Sequence, residues 1–105
     1  MISEKQWEKA LQWMVDNAVS AAAARAERIQ LEKFEKVLLA KLRKQSSGKT
    51  VQERDDYALT HAEYEYHLEG YRIAVEADET FRWKKDTAQA LNDAFRTQCA
   101  NTRGM

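Results

Sequence analysis

The side chains able to do catalytic chemistry are few in this chain, and their spacing is wrong for the sites they could make. Its histidines are His61 and His67. Six residues apart on one helix, they do not share a face. Glu63 and His67 stand one helical turn apart, but no Glu-x-x-His pair occurs, and a di-iron site in a helical bundle needs two. There is no His-Glu-x-x-His and no paired-cysteine spacing, so neither a protease-type nor a structural zinc site can be written. Gly48-Lys49-Thr50 matches the end of a phosphate-binding loop, yet Arg43 stands where the loop's first glycine belongs and no strand leads into it. Gly48 reads as a helix stop. These residues predict no catalytic, cofactor or metal positions, and a protein that is not an enzyme.

Binding chemistry is better represented. In Phe81-Arg82-Trp83-Lys84-Lys85, cations beside an indole could hold phosphate while the ring stacks on a base. Arg96 and Arg103 carry the positive character on towards the C-terminus. On this reading no helical face bears a long basic stripe. The chain also balances 17 Lys+Arg against 17 Asp+Glu, so the strong electrostatic footprint of a nucleic-acid binder is missing. A buried contact in an oligomer interface is the simpler role for Trp83. The tyrosines divide similarly: Tyr64 and Tyr71 suit a helix seam, Tyr57 suits the turn, and Tyr66 suits a partner-docking patch.

Helices must position these groups. With 105 residues, three Gly and no Pro, the chain has the length of one domain and lacks the punctuation of a β or βαβ fold. Ser3 with Gln6 matches a capping box, and good helix formers run from about residue 4 to 45 until Ser46, Ser47 and Gly48 stop them. Thr50 with Glu53 and Thr60 with Glu63 are two further capping boxes, predicting a turn and short helix over 46–60 and a fresh helix over about 61–99. Gly70 inside that helix costs about 1 kcal/mol relative to alanine, which suggests that a backbone or a bulky ring approaches there. The tail over 100–105 should fray. No apolar run is long enough to span a bilayer, and no signal-peptide pattern is expected. A single cysteine, Cys99, fits a reducing compartment.

Charge predicts how the helices pair. Residues 25–49 carry eight basic and three acidic side chains, whereas residues 50–79 carry two and nine. An antiparallel hairpin lays these blocks together and places Arg28 near Asp78, a pair that would fix register more than it adds stability. The expected fold is therefore an all-α, coiled-coil-like antiparallel helical hairpin with a short helix in its connection. Trp7 and Trp13, six apart, cannot both enter one narrow seam. With Val15, Val19 and Leu39 they make an apolar surplus that a two-helix hairpin leaves in water. A homo-oligomeric helical bundle, or capture by another protein, would cover it.

Three stretches resemble short helical accessory proteins of tailed bacteriophages: Gly48-Lys49-Thr50-Val51-Gln52-Glu53-Arg54, His61-Ala62-Glu63-Tyr64, and Phe95-Arg96-Thr97-Gln98-Cys99-Ala100-Asn101-Thr102-Arg103. A small secreted two-helix family with a Trp-x-Gly turn is excluded by Ser46-Ser47-Gly48-Lys49-Thr50. The phage resemblance implies a role beside recombination or replication in the bacterial host cytoplasm. The function expected is self-association with binding to a DNA-processing protein or single-stranded DNA, through Arg82, Trp83, Lys84, Lys85, Arg96 and Arg103. The alternative is a structural or inhibitory protein-binding module that never touches nucleic acid.

Overall fold

A computed structural model describes residues 1–104. It holds three helices: α1 (Glu4–Gln45), α2 (Val51–Leu59) and α3 (Ala62–Arg103). This is an all-α hairpin with a short helix in the connection. No helix among the described residues is long and apolar enough to cross a membrane.

Local chemistry sets the boundaries. At the start of α1 the Ser3 hydroxyl accepts from the Gln6 amide at 3.1 Å and the Gln6 side chain accepts from the Ser3 amide at 2.9 Å. Thr50 and Glu53 form the same reciprocal pair at the start of α2. The third predicted box does not form. Thr60 is still bonded through its amide to Asp56 of α2, and its hydroxyl turns back to the Asp56 carbonyl at 2.6 Å. His61 takes over: its Nδ1 accepts from the Glu63 amide at 3.0 Å, which puts the ring proton on Nε2. The far end of α3 also differs from expectation. The helix continues past Cys99 to Arg103, with the Gly104 amide bonded to the Ala100 carbonyl at 3.1 Å. Arg103 in the last turn suits the negative end of the helix dipole. Met105, the end of the predicted frayed tail, lies outside the described residues.

Gly48 takes no positive φ. What demands a glycine is crowding, since a Cβ there would lie 2.7 Å from Glu53 Cβ and 3.3 Å from the Arg54 amide nitrogen. Arg54 ties the same loop down by donating to the carbonyls of Gly48 and Lys49.

The chain divides into two compact units. Unit 2, residues Ala24–Ala77, is organised around Leu38, Leu42 and Ala58, with Leu39 and Tyr64 packed against them. Leu42 is fully buried. Antiparallel pairing is explicit here. Tyr64 donates its hydroxyl to Glu35 at 2.7 Å, and His67, itself buried, packs its ring 5.9 Å from Phe34. Arg43 meets Asp55 at 2.7 Å, holding α2 against the end of α1. Unit 1 joins Met1–Ala23 to the stretch of α3 from Asp78 onward. Trp7 stacks on Phe95 at 4.7 Å with an interplanar angle of 16°. The Trp7 indole N–H also donates to Asn92 at 2.9 Å, and buried Ala10 and Ala88 let the helices close up.

Candidate functional site

The C-terminal part of α3 is a continuous helix, so residues three, four and seven apart come onto one flank. Arg82, Lys85, Gln89, Arg96 and Arg103 meet that condition, and the four cations are all exposed. No basic stripe was expected from sequence, although Arg82, Lys85 and Arg96 lie within the helix predicted over about 61–99; the extension of α3 to Arg103 adds the fourth cation. Arg82 is engaged by Glu79 at 3.2 Å. Arg96 and Arg103, two turns apart, border an open depression of about 660 Å³ whose walls include Trp7, Phe95 and Cys99. The depression thus combines a stacked aromatic pair with two guanidinium groups. Asp93 also lines it and accepts from Gln89 at 3.3 Å, a contact that keeps its carboxylate along the helix.

Trp83 and Lys84 do not share this flank. They line a second groove of unit 1, about 510 Å³, together with Trp13, Ala10, Ala88 and Leu91. Lys9 stands on its other rim. Trp83 is 73 % exposed. The six contact residues predicted from sequence therefore fall on two surfaces, Arg82, Lys85, Arg96 and Arg103 on one and Trp83 and Lys84 on the other.

The residues predicted for an oligomer interface are spread as widely. Trp7 is taken by the seam, through its stack on Phe95. Trp13 lines the groove, and Leu39 packs onto the unit 2 core. Val15 and Val19 are exposed on α1. Of the predicted register pair, Asp78 is buried in unit 1 and Arg28 is half-buried in unit 2, and neither is without a partner. Among the described residues no buried side-chain nitrogen or oxygen lacks a hydrogen bond.

Electrostatics at the outward side of α3 in unit 2 is local. Arg72 reaches Glu69 at 2.6 Å and Glu76 at 3.2 Å. The guanidinium holds the Glu69 carboxyl below the usual carboxylate value, chiefly through the hydrogen bond. Inside the unit, the Glu35 hydrogen bond, with burial and the Glu35 charge, raises Tyr64 above the ordinary phenol value.

No protein-family model, no curated protein and no solved structure matches the chain.

Proposed function

We propose that this is a non-enzymatic accessory protein of the tailed-phage kind, acting in the bacterial cytoplasm, which self-associates and binds single-stranded DNA or the protein that processes it. One observation carries the reading: Arg96 and Arg103 frame a depression walled by the stacked Trp7 and Phe95. Guanidinium groups hold phosphates, and an aromatic face accepts a base of any sequence, at about 1–3 kcal/mol per stacked base. Lys85, on the same flank, extends the phosphate track.

The test is fluorescence anisotropy of a labelled oligothymidylate with the intact protein at two salt concentrations. Binding should weaken as salt rises, and Arg96→Glu and Arg103→Glu should each lower the salt slope by about 0.7, the share of one phosphate contact on a single strand. Absence of binding at low salt, or binding indifferent to both substitutions, overturns the nucleic-acid part of the reading. The formal neutrality of the chain favours a second reading, a structural or inhibitory module that binds protein alone. A captured protein partner that leaves Arg96 and Arg103 accessible would favour it.

A further inference from the structure

The groove of unit 1 is apolar, and its own helices leave it open. Trp13 of α1 and Trp83 of α3 supply an indole to each side, with the buried Ala10 and Ala88 between them. Alanine at both positions lets the helices approach and leaves nothing long enough to fill the space between the rings. Trp7 shows the contrast within the same unit, since its ring is stacked on Phe95 and its N–H is bonded to Asn92. The Trp83 ring meets no other ring among the described residues and is mostly in water. The Thr87 hydroxyl donates to the Trp83 carbonyl at 3.0 Å, so the helix itself satisfies that polar group of the lining.

Charge selects the occupant. Lys9 comes from α1 and Lys84 from α3, and no carboxylate lines the groove. Neither lysine is paired with a carboxylate of this chain among the described residues. By helical phase Asp16 comes nearest, one turn beyond Trp13, and it accepts from Gln12 at 2.6 Å. Two indoles with an ammonium group on either side suit bulky apolar side chains flanked by carboxylates, and they repel a basic segment. Two such grooves face to face would gather four lysines, which disfavours a second copy as the occupant. Length is limited as well. The stretches Gln6 to Trp13 and Trp83 to Leu91 that line the groove each cover about 10–12 Å of helix, which is two turns of a helix laid alongside.

We propose that this groove docks an acidic amphipathic segment of another protein, which lays two large apolar side chains, one helical turn apart, between Trp13 and Trp83 and sets its carboxylates on Lys9 and Lys84. The inference rests on the protein-binding part of the proposed function and names its surface and the chemistry of its partner. Anchors one turn apart are how an amphipathic helix enters an apolar groove. Trp83 is the main contact, because an exposed indole has the most water to lose on docking. Trp83 and Lys84 do not share the flank of Arg96 and Arg103, so the segment and a nucleic-acid strand can be held at once.

The test uses the full chain and a fluorescein-labelled synthetic helical peptide, rich in glutamate, with leucines one turn apart. Two control peptides replace its glutamates by lysines or its leucines by alanines. Anisotropy should show saturable binding of the acidic leucine peptide that weakens as salt rises. Each control, and Trp83→Ala with the acidic peptide, should bind at least about tenfold more weakly, the loss expected of a hot-spot contact. Lys9→Glu combined with Lys84→Glu should reverse the preference, towards the lysine peptide. Lys9, Trp83 and Lys84 are all exposed, so these variants keep the helices, and circular dichroism checks it. A wild type that binds none of the peptides, one that binds acidic and basic peptides alike, or binding indifferent to Trp83→Ala overturns the inference. So does a dimer in sedimentation equilibrium that Trp83→Ala dissolves, because the groove would then belong to a second copy. Failure here removes this surface alone. DNA binding through Arg96 and Arg103 is read by its own titration, and its failure would leave the groove standing.

Discussion

Two glycines show how the same residue serves opposite needs. Gly48 is fixed by its neighbours, since a methyl group would press on Glu53 and the Arg54 amide. Gly48→Ala should therefore cost about 1–3 kcal/mol, as other small overpackings do, with the loss measured as a lower urea midpoint. Gly70 has open space instead, and in dilute, monomeric protein Gly70→Ala should stabilise by about 0.5–1 kcal/mol through helix propensity and the stiffer unfolded chain. If both substitutions moved the urea midpoint the same way, one of these readings would be wrong. Trp7 belongs beside them. Its stack on Phe95 and its bond to Asn92 fix one ring at the edge of the depression. Trp7→Phe keeps an apolar ring but strands the Asn92 acceptor, so a loss of about 1 kcal/mol, the worth of one hydrogen bond, is expected on chemical denaturation.

Among the elements, the starts of α1 and α2 were legible because a capping box needs only four consecutive residues. The same pattern misled at Thr60, where the hydroxyl had a carbonyl of the preceding helix within reach, so His61 opens α3 instead. Thr50→Ala should accordingly cost about 1 kcal/mol, and Thr60→Ala clearly less, because a cap accepts from an orphan amide whereas Thr60 donates to a carbonyl. The end of α3 was not legible either. Backbone hydrogen bonding carries the helix through Arg103 although residues 100–103 are all exposed, and this brings Arg103 onto the flank of Arg82, Lys85 and Arg96. The Tyr64–Glu35 bond ties α3 to α1 and makes a pH test. The folded phenol is raised above its ordinary value of 10.0, so its stabilisation is complete below about pH 10 and is lost as pH climbs through the raised value. Tyr64→Phe should flatten that alkaline fall in stability, and a fall of unchanged steepness would assign it to other groups.

For the molecule as a whole, sequence predicted the hairpin and part of its apolar surplus. Val15, Val19 and Trp83 are exposed as expected, whereas Trp7 and Leu39 are used inside the chain and Tyr66 and Ile73 are left outside it. That distinction depends on helical phase around each seam, which shifts along α1 and cannot be read from residue type. If the exposed set is covered by association, the thermal midpoint should rise with protein concentration, each tenfold increase adding about 1.4 kcal/mol of apparent stability once the dimer dominates. A midpoint constant over that range would mean the unfolding species is a monomer. Unit 1 has one more consequence, in the dynamics of its outer end. The Gln98 side chain accepts from the Ile2 amide at 3.0 Å and donates to the Ile2 carbonyl at 2.8 Å. A side chain late in α3 thus clasps both polar groups of one peptide residue ahead of α1. Helix ends ordinarily open independently, exchanging their amide hydrogens almost as fast as free peptides. The clasp predicts that the two ends open together. Gln98→Glu, which cannot donate to a carbonyl while ionised, should release both at once, and hydrogen exchange at Ile2 and at the last turns of α3 should quicken in step.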